Sequence, residues 1–190
     1  MAIYLQCCGA IPTAYTYISL ATAACTRMGL HQSESSRQLN PIDRETRKRL
    51  FWAVRTMDGY VTTILGLPRT LSDDDIDQEL PLEVDDEYIT EDGVGTRDCH
   101  STCLMTAVNA HTNLIRIMAN IRRNVLGSHK SSSGQTEAYR IDYSRILQAE
   151  NELEAWFTSL PGDSNFSKPD SIKYVTSTLN FAIAHIFLKH

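Results

Sequence analysis

Apolar side chains recur along this chain at intervals of three and four, the spacing that lines one flank of an α-helix. Leu50, Val54, Met57, Val61 and Ile64 form the clearest such stripe. Asn40 is a good N-cap, Pro41 suits the first helical position, and Asp43 and Glu45 place negative charge where the helix dipole favours it. Gly66 stops the helix in a left-handed cap and Pro68 keeps it from restarting. Upstream, Ala14, Ile18, Ala21, Cys25 and Met28 predict a helix from Pro12 to Met28, closed by Gly29, and residues 2–8 read as the tail of an earlier helix. Downstream, Leu104, Ala107, Val108, His111, Leu114, Ile115, Met118, Ile121 and Val125 predict the buried face of a helix over Thr96–Leu126. A further helix is predicted over Asp142–Leu160, with Tyr143, Ile146, Leu147, Leu153, Trp156, Phe157 and Leu160 as its apolar stripe, and a last one from Lys173 to the end, with a flexible loop at about 127–135. No internal repeat and no strand alternation is visible. The expectation is an all-α array of antiparallel helices. The chain opens uncapped inside one helix and finishes inside another, so both ends read as truncated and residues 1–190 as a partial domain.

Composition changes this picture in three ways. The net charge is −5, and eleven of the acids lie between Ser72 and Asp92, interleaved with Ile76, Leu80, Leu82, Val84, Tyr88 and Ile89. That segment reads as an extended, partly anchored acidic connector, and the balance argues against this chain gripping DNA by itself. Five cysteines, two of them adjacent, make a poor disulfide framework and fit a reducing compartment. The first 26 residues carry no charge, but Gln6, Gly9 and Pro12 interrupt them, which fits buried helices rather than a membrane span.

Candidate chemistry is thin. Asp73, Asp75 and Asp77 match the first positions of a calcium loop, but Gln78 stands where glycine is needed and Val84 where glutamate is needed. Cys99, His100 and Cys103 lack the second ligand pair of a structural zinc site, so core cysteines are the expectation. Arg44, Arg47, Lys48, Arg49 and Arg55 give the central helix a basic edge. Arg47 and Lys48 are placed to pair with the acidic connector, and Arg49 lies four residues after Glu45. Asp58, beside the apolar stripe, needs a partner if buried, with Arg27, Arg55 or Arg69 as candidates and an ion pair as its role. His31 follows a helix end, where a cation suits the dipole. No nucleophile elbow, no patterned histidine and no dinucleotide loop is present, so an enzyme is not expected.

Several phrases in order resemble the regulatory middle-homology region of fungal zinc-cluster transcription factors. They are Met28-Gly29-Leu30-His31 after an alanine-rich helix, Pro41 with Arg44-Glu45-Thr46-Arg47-Lys48-Arg49-Leu50-Phe51-Trp52, Met57-Asp58-Gly59-Tyr60, Leu65-Gly66-Leu67-Pro68, Asp74-Asp75-Ile76-Asp77 with Leu80-Pro81, and Leu153-Glu154-Ala155-Trp156 with Leu160-Pro161. The resemblance is strong over about residues 11 to 88 and thinner beyond. It implies an all-helical regulatory domain, and as its structural motif residues Gly29, Leu30, His31, Arg44, Glu45, Arg47, Arg49, Trp52, Asp58, Gly66, Pro68, Asp75, Ile76 and Asp77. Leu67 departs from the arginine frequent in the family between the glycine and the proline. The six-cysteine zinc cluster that reads DNA in such proteins is missing from this sequence, so neither zinc ligands nor DNA contacts carry over to it.

The resemblance implies a nuclear regulator of RNA polymerase II genes. Its partners would be the transcription machinery or regulatory proteins, with a small-molecule effector as a further ligand. DNA would be reached only through the missing domain, zinc would belong to that domain, and no cofactor or membrane is expected for this chain. The alternative is a stand-alone helical module that binds a small metabolite or a partner protein without a DNA function.

Overall fold

Asn40 does what its position predicts. Its side chain accepts a hydrogen bond from the Asp43 amide at 2.7 Å, and a 25-residue helix follows, Pro41–Leu65 (α2), ended by Gly66 at φ 75°. In this computed structural model, which describes residues 4, 8–95, 103–125 and 143–160, α2 is the axis of the molecule. Before it runs α1, Ile11–Arg27, and after it come α3, Leu104–Val125, and α4, Tyr143–Ser159. The helices pack in chain order, α1 on α2, α2 on α3 and α3 on α4. Short 3-10 turns at Glu34–Ser36, Asp73–Asp75 and Asp86–Tyr88 punctuate the connections. Among the described residues there is no strand, only an isolated bridge between Ile89 and Val94. No described helix is long and apolar enough to cross a membrane.

Two apolar clusters hold the layers. Cys25 and Leu30 pack on Phe51 and Trp52, joined at the edge by Val54, Leu71, Ile76 and Leu80. Leu114, Ile115 and Met118 of α3 pack with Tyr60, Leu153 and Trp156. The indole of Trp156 donates to the Ala110 carbonyl at 2.8 Å, which fixes α4 on α3. On α1, Ala14, Ile18 and Cys25 are buried as the spacing predicts, whereas Met28 is exposed.

Three helix faces depart from expectation. On α2, Val61 and Ile64 of the predicted stripe are buried, but Leu50 is 49% exposed, and the first half of the helix instead buries Lys48, Phe51, Trp52, Arg55 and Asp58. On α3, Leu104, Val108 and His111 are exposed, while Asn109 and Thr112 are buried because they meet the connector and α2. On α4, Leu147 and Phe157 are exposed, while its main packing among the described residues is against α3. The predicted loop at 127–135, the last helix from Lys173, the start of the Thr96 helix, and Cys99 with His100 lie outside the described residues.

Gly59 sets how close α2 and α3 come. A Cβ there would lie 2.8 Å from Cγ2 of Ile115, a methyl fixed on a β-branched carbon that cannot swing aside. Gly59→Ala is therefore expected to push the two helices apart and to lower stability by about 1–3 kcal/mol despite alanine's better helix propensity. A urea titration checks it, and a gain in midpoint would show the contact to be slack.

Candidate functional site

The connector that follows α2 returns along it, and charged side chains of α2 receive it one after another. Glu45, the adjacent pair Lys48 and Arg49, Trp52, Arg55 and Asp58 succeed one another about one turn apart, so they form one track along the helix. At its far end Asp58, with no exposed side-chain surface, accepts from Arg55 Nη1 at 3.1 Å on one oxygen and from the Thr70 hydroxyl at 3.1 Å on the other. Arg55 uses its second terminal nitrogen on Asp73 at 2.6 Å, and Arg69 pairs with the other Asp73 oxygen. Midway, Lys48 pairs with Glu79 at 2.6 Å and the Trp52 indole donates to the Glu79 carbonyl at 2.7 Å. At the near end Glu45 accepts from the Leu82 amide at 2.8 Å and from Arg49 at 3.1 Å, and Arg49 reaches on to the Val84 carbonyl and to Asp86.

The other side of the connector is fastened as well. Asn109 of α3 donates to the Pro81 carbonyl at 2.9 Å and to Glu83 at 3.2 Å, and the Thr106 hydroxyl donates to Glu83 at 3.0 Å. The Cys103 thiol donates to Asp85 at 3.2 Å. Toward α1, the Ser33 amide donates to Asp77 at 2.8 Å, the amides of Asp77 and Gln78 donate to the His31 carbonyl, and the Gln78 side chain donates to the Leu30 carbonyl at 3.0 Å. The acidic connector thus ties the loop after α1, α2 and α3 together. The connector is extended and partly anchored, as the sequence predicted, and Lys48 and Arg55, both buried, are among the cations that hold it.

The motif residues fall on this junction. Gly29, at φ +68°, turns the chain out of α1, and Leu30 is core at 1% exposure. His31 serves through its backbone carbonyl, and its Nδ1 is buried with no partner among the described residues. Arg44 donates to the carbonyls of Arg37 and Leu39 and so holds the loop before α2. Arg47 does not meet the connector: it donates to the Met28 carbonyl at 3.0 Å, supplying a cation to the C-terminus of α1. Glu45, Arg49, Trp52 and Asp58 belong to the track; of the three arginines considered for Asp58, Arg55 makes the contact. Gly66 is the left-handed cap of α2, and Pro68 is exposed. Asp75 is exposed in its 3-10 turn, Ile76 packs on the Phe51–Trp52 cluster, and Asp77 holds Ser33. Sequence reasoning missed Asn109 and Gln78, whose polar type hid their burial, and Thr70, an exposed residue whose hydroxyl donates to Asp58. The signal available was the match of basic residues on α2 to acids spaced along the connector.

The electrostatics follow from this geometry. At Asp73, burial pushes the carboxyl up, but hydrogen bonds and charge from Arg55 and Arg69 win and hold it below its ordinary range. Lys48 likewise lowers Glu79. Burial alone would lower Arg49; Asp86 and Glu45 more than offset it. The sign for Asp73 is that of a depressed acid: its contribution is present above the ordinary carboxylate pKa and lost as pH falls through the folded value. Asp73→Asn is expected to flatten the acid limb of stability against pH, measured by urea midpoints from neutral to acid pH; an unchanged limb would sink this account.

No nucleophile, base and acid converge here. The track has the chemistry of a clamp between elements. The zinc cluster implied by the resemblance does not fit these residues either. Cys25 lies in the α1–α2 core and Cys103 bonds Asp85, and no described group of three or more His, Cys, Asp or Glu converges on a metal position.

Comparison with known proteins identifies the family. Residues 1–158 match the family described as "Fungal specific transcription factor domain". The chain is 34% identical over 187 residues to Activator of stress genes protein 1 of Candida albicans, covering 90% of this chain and 18% of that protein. It is 37% identical over 163 residues to Activator of stress genes 1 of Saccharomyces cerevisiae, covering 85% and 16%. With Transcriptional activator protein acu-15 of Neurospora crassa it shares 30% over 145 residues, covering 76% and 15%. The chain thus spans less than a fifth of the length of each of these relatives. No solved structure matches it.

Proposed function

The chain belongs to the fungal specific transcription factor domain family, a regulatory rather than enzymatic family, and from that premise we propose that it controls RNA polymerase II transcription in the nucleus by relaying a signal through helix packing. The observation that carries this reading is the clamp. A connector bonded at once to the loop after α1, to α2 and to α3 transmits a displacement of any one of them to the other two. A partner regulatory protein, the transcription machinery or a small effector would bias the clamp by binding one packing better than another. DNA would be reached through a part of the protein outside this segment.

The test tethers the chain to an unrelated DNA-binding domain and reads a reporter gene. Reporter output is expected to differ from that of the bare DNA-binding domain. Asp86→Asn and Glu79→Gln, which alter the clamp at exposed side chains, should move it while the helical circular dichroism stays the same. Output equal to the bare domain in every case would sink the proposal.

A further inference from the structure

Beside the Asp58–Arg55–Asp73 network lies a notch between α2 and α3 whose charge is not balanced. Three guanidiniums line it, Arg55, Arg69 and Arg116, with Trp52 on one wall. Two carboxylates, Asp58 and Asp73, serve the cluster, leaving one positive charge in excess. Arg55 spends both terminal nitrogens on those acids. Arg69 spends Nη1 on Asp73, but its Nη2 is buried and finds no partner among the described residues. Arg116 reaches no carboxylate among the described residues and stacks over Trp52 at 5.7 Å from the ring centroid. Thr56 and Thr112 offer no spare donor, because they bond each other at 3.1 Å and Thr112 also donates to the Val108 carbonyl.

We propose that this notch binds the oxyanion group of a small molecule, a carboxylate or a phosphate, between Arg69 Nη2 and the guanidinium of Arg116. A buried donor without an acceptor is costly, and an anion supplies the missing acceptor with charge-assisted bonds. The enclosed space takes little more than a water-sized group, so an oxygen of the anion enters while the rest of the molecule lies outside along Arg116 and Trp52. Burial, which pulls Arg69 below the ordinary arginine range, is offset by a bound anion. Arg55 and Trp52 belong both to this notch and to the clamp, so occupancy would stiffen the clamp. That consequence rests on the regulatory reading; the binding does not.

The experiment titrates the purified chain with inorganic phosphate, acetate and succinate against chloride at equal ionic strength, following the Trp52 indole resonance. A saturable shift with phosphate or with the carboxylates is expected, and the tighter of the two names the source. Arg116→Ala, at an exposed position, and Arg69→Lys, which keeps a cation for Asp73 but removes the second nitrogen, should each weaken binding about tenfold. Arg37→Ala, at an exposed arginine paired with Glu34, should leave it unchanged. No saturable shift, or equal weakening in all three variants, overturns the site. Because no transcription is read, a failed reporter assay and a failed titration remain separate results.

Discussion

Asp58→Ala is expected to cost about 3–5 kcal/mol of stability, the range for removing one member of a buried ion pair and leaving the other charge behind. Asp58 has no exposed surface, and both its oxygens are engaged, by Arg55 and by Thr70. Without it, Arg55, itself 5% exposed, keeps Asp73 but holds Nη1 against nothing, and the Thr70 hydroxyl loses its acceptor. Set against a total stability of roughly 5–15 kcal/mol for a typical domain, that loss is a large fraction. Urea unfolding followed by circular dichroism measures it. Asp74→Ala, at an exposed neighbour in the acidic connector, is the contrast and should stay within about 0.5 kcal/mol. In a double-mutant cycle with Arg55→Ala, the two losses should be strongly non-additive, because the second substitution removes the stranded charge that the first creates. Additive losses, or a cost for Asp58→Ala near that of Asp74→Ala, would show that the pair carries no energy in the fold.

Much of the architecture was legible in the sequence because local chemistry fixes it. The Asn40 cap, Pro41 at the first turn and the left-handed glycines at 29 and 66 are decided within a few residues of themselves, and each sits where it was expected. The face that α2 buries was legible only in its second half, where Val61 and Ile64 of the apolar stripe are core. Periodicity finds apolar stripes, and it assigned Leu50 to the core. What covers α2 is a connector from later in the chain that brings its own acids, so the helix buries Lys48, Arg55 and Asp58 and leaves Leu50 half in water. The same cause turns α3, where Asn109 goes inside to meet the Pro81 carbonyl and Val108 comes out. A polar side chain becomes a core residue only when its partner arrives, and that partner lies 28 positions away for Asn109 and Pro81. The family phrases did not reveal the geometry: Glu45, Arg49, Trp52 and Asp58 are neighbours along one track.

Trp52 joins the apolar core to that track, and Trp52→Ala is the second large loss expected, about 3–5 kcal/mol. The ring is 5% exposed, packs edge-on against Phe51 at 5.4 Å between centroids, and sits in the cluster with Cys25 and Leu30. Alanine would leave a cavity between α1, α2 and the connector that these neighbours only partly refill. Trp52→Phe separates the contributions, since it keeps most of the apolar contact but leaves the Glu79 carbonyl without its donor. It should cost about 1–2 kcal/mol, from the lost hydrogen bond and the smaller ring. Hydrogen exchange locates the effect. With Trp52 gone, the amides of Gln78 and Leu82, bonded to His31 and Glu45 on either side of Glu79, should lose protection before the interior of α2 does. If they instead exchange in step with α2, the connector is part of one cooperative unit with the helix and moves only when the helix unfolds. The clamp would then hold the fold together but would have no second arrangement to switch to, and regulation by helix packing would need a different moving part.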